Sequence, residues 1–301
     1  MRRRKVKKIS FLRCAALIIS LLMLFSTVAF ADGVLLTPEE EKALESGTDV
    51  FPGVSAESYL VMDLKTGEVL FSNNEKTSLP IASTTKMLTA LVVVENEKDL
   101  DRVVTVDARS CGIEGSSINL YEGEKMSVRD LLYALMLESA NDAAVCLAIS
   151  CAGSVEKFSE LMNAKAEQIG MDGSHFTNPH GLEDKDHYST ALDLAKLWQD
   201  AMQHDVLREI VAARTHKIEL SSGDGYRFLS NHNKLLKSYE ACIGGKTGFR
   251  SIVVGQLYHR PVAVVIMDGS HSSGRTGLGE PVCFRVGQGS DVFIAVCPET
   301  P

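Results

Sequence analysis

Three short groups of residues carry side chains that could do chemistry together: Ser83-Thr84-Thr85-Lys86, Ser139-Ala140-Asn141 and Lys246-Thr247-Gly248. Ser83 and Lys86 stand one helical turn apart and share a face, so the serine could attack while the amine takes its proton. Lys86 can act as a base only if neutral. Burial against an apolar helix, together with a second cation such as Lys246, would lower its pKa in that direction. A serine at a helix start also has its own N–H to aim at a developing oxyanion. Ser139 could relay a proton and Asn141 could hydrogen-bond a substrate amide. Lys246-Thr247-Gly248 follows Gly244-Gly245 and precedes Phe249, the pattern of an edge strand open to a substrate backbone. There Lys246 offers charge, and Thr247 a hydroxyl, to a carboxylate.

Each group alone is common. Ser154-Val155-Glu156-Lys157 repeats the first spacing, Lys65-Thr66-Gly67 repeats the third, and Ser72-Asn73-Asn74 and Ser117-Ile118-Asn119 repeat the second. Plainer roles exist for all of them. Ser83 could be a capping serine before a solvated lysine, and Ser139-Ala140-Asn141 an N-cap for a helix starting at Asp142. Lys246-Thr247-Gly248 could be a Gly-rich turn. Ser154 reads as a helix cap and Lys65-Thr66-Gly67 as a hairpin turn.

The elements that must position these groups follow from patterning. Apolar runs at 59–63 and 68–71 flank the Lys65-Thr66-Gly67 turn as a hairpin. Residues 83–95 read as a helix with little polar relief, hence a buried central one. Helices are expected at 127–137, 142–151, 154–169 and 190–204, with a loop at Asn178-Pro179-His180-Gly181-Leu182. Strands return at 215–220, at 251–259 and at 261–267. A strand pair, a helical block and returning strands predict a sheet with a helical subdomain inserted in the middle.

Seven basic residues precede or enter an apolar run at 15–28 that ends in Ala29-Phe30-Ala31, so residues 1–31 are expected to be a cleaved signal peptide. Their removal takes the formal charge from −8 to about −15, which excludes nucleic acid or an anionic membrane as a partner of the net field. No clear membrane anchor is expected after cleavage. Residues 32–54 read as a linker. Six cysteines would remain, at 111, 146, 151, 242, 283 and 297, with no framework spacing; they are read as small buried apolar residues. Neither metal-binding spacing nor any cofactor signature occurs.

The segment Leu79-Pro80-Ile81-Ala82-Ser83-Thr84-Thr85-Lys86-Met87-Leu88-Thr89-Ala90 closely resembles the active-site segment of the low-molecular-weight penicillin-binding proteins. These are the serine-type D-alanyl-D-alanine carboxypeptidases of peptidase family S11. The run from Asp130 to Ala144, the loop Asn178 to Leu182, His187-Tyr188-Ser189-Thr190-Ala191 and Asn231-His232-Asn233-Lys234-Leu235-Leu236 match family segments in the same order. The resemblance implies an α/β (α+β) transpeptidase-like fold shared with β-lactamases: an antiparallel sheet flanked by helices, with an all-helical lobe, over residues 55–268. It implies attack by Ser83 on the D-Ala-D-Ala bond of peptidoglycan stem peptides, outside the cytoplasmic membrane. Lys86 would take the proton, and Ser139 and Lys246 would help return one to the leaving D-alanine. Asn141 would align the peptide, Thr247 would hold its carboxylate, and Gly248 belongs to the same strand motif. The N–H groups of Ser83 and Phe249 would form the oxyanion hole. Penicillin and other β-lactam antibiotics would acylate Ser83. His180 and His187 are read as structural loop residues.

The sequence departs from that family after Gly248. Arg250 stands where Thr or Ser is expected, no long C-terminal helix follows the strand pair, and 269–301 is an atypical Gly/Ser-rich tail. The small β-rich second domain and terminal amphipathic helix common in the family are not recognisable either. These departures raise a competing expectation: a catalytically impaired penicillin-binding or misfolded chain, altered in its C-terminal third, with a shifted reading frame as one route to such an alteration. A β-lactamase is disfavoured because no E-x-x-L-N loop follows Ser139.

Overall fold

The structure is a computed structural model that describes residues 56–220, 223, 225–238, 242–246, 250–257 and 260–267. The expected signal peptide, the linker, the tail, and Thr247, Gly248 and Phe249 lie outside those residues.

Nine strands and seven α-helices are named here in chain order among the described residues. β1 (Ser58–Asp63) and β2 (Val69–Asn73) form the expected hairpin. Its turn is made by Asp63, whose Oδ1 accepts from the N–H groups of Lys65 and Thr66, both at 2.8 Å, while Gly67 takes φ +75°. Lys65-Thr66-Gly67 is therefore a turn and nothing more. The main sheet runs β2-β1-β9-β8-β7 and is antiparallel throughout, with β7 at Cys242–Lys246, β8 at Arg250–Leu257 and β9 at Arg260–Met267. Two further antiparallel pairs join β3 (Val103–Thr105) to β4 (Lys125–Ser127) and β5 (Thr215–Glu219) to β6 (Tyr226–Ser230).

The described strands that follow Gly248 are fully paired. β8 and β9 pair without interruption from Arg250 opposite Met267 to Leu257 opposite Arg260. β9 then pairs with all of β1. The strand partners that an altered C-terminal third would lack are in place up to Met267.

Between β2 and β5 lie a block of helices, the β3–β4 pair and the loop over 170–190. α1 (Lys86–Asn96) is central, with Lys86 through Val93 all buried, and it packs on α2 (Val128–Leu137), α3 (Asn141–Ala152), α4 (Val155–Gln168) and α5 (Ala191–Ala201). Caps set the starts. The side-chain oxygens of Ser127, Ser154 and Thr190 accept from the N–H of Asp130, Lys157 and Asp193. Ser154 is thus the cap that its sequence suggests. The helix expected over 190–204 ends at Ala201. A separate helix α6 (Asp205–Ala212), which the patterning did not suggest, presses Leu207, Ile210 and Val211 into the core. α5 covers β1 and β9, α6 covers β7, and a short helix α7 (Leu235–Ser238) leads into β7.

Candidate active site

A 3₁₀ turn over Ala82–Thr85 feeds directly into α1. Ala82 holds φ +45°, a left-handed conformation that costs a non-glycine residue energy and must be held by its surroundings. Ser83 follows it and is half-buried. Lys86 Nζ lies 2.9 Å from Ser83 Oγ and donates to His180 O at 2.7 Å. Neither residue plays the plainer role. No side chain caps α1, and Lys86 has no exposed surface. Burial holds the Lys86 pKa well below the ordinary lysine range, and the charge of Lys246 pushes it further the same way. With one N–H engaged by a carbonyl, a neutral Nζ keeps its lone pair for the serine proton.

The loop Asn178–Leu182 grips this turn from outside. Pro179 O accepts from Thr89 Oγ1 at 2.6 Å, and His180 O accepts from Lys86. Asn178 Oδ1 shapes the loop by accepting from the N–H groups of His180 and Gly181. Gly181, at φ +87°, lies against the Ala82 carbonyl. His187, further along, is buried with Nε2 at 2.7 Å from Thr85 Oγ1. Neither histidine is within reach of Ser83 by any described hydrogen bond, so neither is placed as its base. Burial, then the charge of Lys86, pulls the His180 pKa down to about 4; burial does the same for His187, also to about 4.

Ser139 and Asn141 sit where α2 gives way to α3. Ser139 takes φ +58° and is almost fully buried. Asn141 is not a cap: it is the first residue of α3, and its Nδ2 donates to Glu114 O at 2.6 Å. The neighbouring Asp142 was not singled out by sequence. Its buried carboxylate accepts from Ser117 Oγ at 2.6 Å and from the N–H groups of Ile118, Leu120 and Ala143. This tethers the 114–120 loop over Asn141. The Ser117-Ile118-Asn119 repeat is thereby a tether and not a second site. Gly115, at φ +86°, leaves room for Asn141, since a Cβ there would meet Nδ2 at 2.9 Å.

Lys246 ends β7 and is 2% exposed. Gly244 is required where β7 crosses α6, because a Cβ would lie 2.6 Å from Val211 Cγ2. Asn233 Nδ2 donates to Gly244 O at 3.2 Å, so the Asn231-His232-Asn233 segment anchors the strand. β8 lies against the Ala82–Thr85 turn, which brings the strand pair carrying Lys246 to the turn that holds Ser83. Thr247, Gly248 and Phe249 are outside the described residues.

Among the described residues the cysteines are free, with Cys146 and Cys242 buried and Cys111 and Cys151 half-buried. One spatial group absent from the sequence spacing, Glu95, Asp200 and His204, could hold a cation. The Lys165 ammonium already stands there, 2.6 Å from Glu95 and 2.8 Å from Asp200.

The profile of peptidase family S11, described as D-alanyl-D-alanine carboxypeptidase, matches residues 45–259. The chain belongs to the S11 family. An S11 relative, the D-alanyl-D-alanine carboxypeptidase DacF of Bacillus subtilis, is 34% identical over 200 residues, covering 64% of this chain and 51% of the relative. The chain thus spans about half the length of that protein. The crystal structure of a D-alanyl-D-alanine carboxypeptidase from Mycobacterium tuberculosis superposes with a TM-score of 0.68 at 31% identity, over 73% of this chain and 84% of that one. The Streptomyces K15 DD-transpeptidase does so with a TM-score of 0.67 at 28% identity, over 73% and 92%. The S11 chain therefore has the DD-peptidase fold, an antiparallel sheet flanked by helices, as its sequence led us to expect.

Proposed function

We propose that the chain is a serine DD-carboxypeptidase that removes the terminal D-alanine from peptidoglycan stem peptides through an acyl-enzyme on Ser83. The observation that carries this reading is the fully buried Lys86 amine, 2.9 Å from Ser83 Oγ, with its pKa driven down by burial and by Lys246. Ser83 Oγ attacks the carbonyl of the penultimate D-alanine, and its proton passes to Lys86 Nζ. The C–N bond breaks as Ser139 and Lys246 help deliver a proton to the departing D-alanine nitrogen. Water then cleaves the Ser83 ester and releases the shortened peptide. In this reading Asn141 aligns the peptide, Thr247 and Gly248 receive its carboxylate end, and the N–H groups of Ser83 and Phe249 hold the oxyanion. Penicillin enters as a dipeptide mimic and acylates Ser83.

The S11 relatives named as D-alanyl-D-alanine carboxypeptidases support this choice of substrate. The basic, then apolar, N-terminal segment supports export and work outside the cytoplasmic membrane. No helix among the described residues is long and apolar enough to cross a membrane.

The test is incubation of the purified protein with a fluorescent penicillin, beside Ser83→Ala, followed by D-alanine release from a peptide ending in D-Ala-D-Ala. A covalent label that the substitution abolishes, with D-alanine released, is expected. A folded protein that takes no label would instead support the impaired chain.

A further inference from the structure

We propose that His187 is a positioning residue for the nucleophile: its Nε2–H donates to Thr85 Oγ1, turns that hydroxyl onto the Ala82 carbonyl, and so fixes the left-handed turn that presents Ser83. The proposal rests on the reading of Ser83 as the acylated residue.

The directions of the hydrogen bonds settle the imidazole's tautomer. His187 Nδ1 lies 3.1 Å from the backbone N–H of Thr177, which has only a proton to give. The Thr177 hydroxyl, at 3.4 Å, shares the same nitrogen. Nδ1 must therefore present its lone pair, and a neutral ring then carries its proton on Nε2. That nitrogen is 2.7 Å from Thr85 Oγ1, and the Thr85 hydroxyl is 2.7 Å from Ala82 O. Each donor in the series meets one acceptor: Thr177 N–H to Nδ1, Nε2–H to Oγ1, O–H to Ala82 O. Reversing the ring would set two N–H groups against each other at Thr177. It would also leave Thr85 donating to Nε2 and lose the link to Ala82. Phe176 closes the site, its ring edge-on to the imidazole at 5.6 Å.

The position of this series makes it matter for chemistry. Ala82 is one of four non-glycine residues with positive φ among those described, and it directly precedes Ser83. A strained conformation persists only where neighbours over-determine it. Here the neighbours are Gly181, pressed on the Ala82 carbonyl, and the Thr85 hydroxyl bonded to it. Relaxation of φ at Ala82 would swing Ser83 away from Lys86. A misplacement of about 1 Å costs on the order of 100-fold in rate.

Two measurements test this. Nitrogen-15 NMR of the histidine rings at neutral pH should show His187 as the Nε2–H tautomer; an Nδ1–H ring would overturn the proposal without reference to any activity. Penicillin acylation is then followed to saturation in Thr85→Val and Thr85→Ser. Thr85→Val should lose about 100-fold in the limiting acylation rate with its half-saturation concentration little changed, and Thr85→Ser, which keeps the hydroxyl, should stay within about 3-fold of the wild type. A purely structural role would lower the melting temperature and leave the limiting rate alone, and that result would overturn the proposal. Wild-type protein that takes no label would sink the acylation reading itself. A labelled wild type with an unaffected Thr85→Val would sink only the role of His187.

Discussion

Gly181 lies so close to Ala82 that a β-carbon at position 181 would stand 1.9 Å from the Ala82 carbonyl oxygen. No rotamer relieves such an overlap, because the backbone fixes where a Cβ stands and the atom it meets is itself backbone. Gly181 also sits at φ +87°, where an L side chain is strained in any case. Gly181→Ala should therefore destabilise the protein by about 3 kcal/mol, read as a lower urea midpoint, and cut penicillin acylation sharply. A variant with an unchanged midpoint would mean that the loop can retreat from the nucleophile turn at no cost.

Lys246 is the second cause of the low Lys86 pKa, after burial. The rising limb of the acylation rate with pH should report loss of the Lys86 proton, below the ordinary lysine range. Lys246→Ala removes one cation and lets the Lys86 pKa rise, so the limb should move to higher pH. A limb that stays in place would assign the shift to burial alone.

His180 and His187 bring an acid limit to stability. Their pKa values fall from 6.5 to about 4, in both cases chiefly by burial; Lys86 adds to the effect at His180, and Asp184 opposes it at His187. Both rings bind protons more weakly folded than unfolded. Unfolding free energy should therefore fall as pH drops from about 6.5 to about 4, by on the order of 3 kcal/mol for each ring. Urea titrations across that window measure it, and His187→Gln should flatten the slope by roughly half.

Asp142 ties the 114–120 loop to the first turn of α3 through three donors of the loop and accepts a fourth bond from the N–H of Ala143 in the helix itself. Asp142→Ala leaves three backbone N–H groups and a hydroxyl without that acceptor, at a cost of about 3 kcal/mol. Ser117→Ala removes one of the four and should cost about 1 kcal/mol. Penicillin acylation should fall in Asp142→Ala even at temperatures where the variant is folded, because the loop that holds Asn141 is released.

Much of this was readable in advance because it is local. The Ser127 and Ser154 caps, the Lys65–Gly67 turn and the apolar run of α1 follow from neighbouring residues, and Lys86 beside Ser83 follows from helical spacing. What escaped was set by distant partners. Asp142 reads as an ordinary acid in a first helical turn until the 117–120 backbone folds over it. The link from His187 to Thr85 spans 102 positions and has no period to betray it. α6 was missed because its apolar positions, Leu207, Ile210 and Val211, follow closely on the end of α5. The two S-x-x-K groups look alike in spacing. They differ in burial: Lys86 is enclosed, while Ser154 caps a helix with its side chain bonded to the N–H of Lys157.

The order of strands in the main sheet has a consequence in time. Ser83 and Lys86 follow the β1–β2 hairpin, Lys246 ends β7, and the two ends of the sheet meet only through β9, which is the last described strand to be made. Synthesis runs from the N-terminus, and pairings this remote in sequence close late. A nascent chain that has passed Gly248 but not yet reached residues 260–267 owns every motif and no assembled sheet to hold them together. The sheet that joins Ser83 and Lys86 to Lys246 is thus complete only once β9 is made, and a truncation between Gly248 and Arg260 should leave all three motifs in a chain that takes no penicillin label.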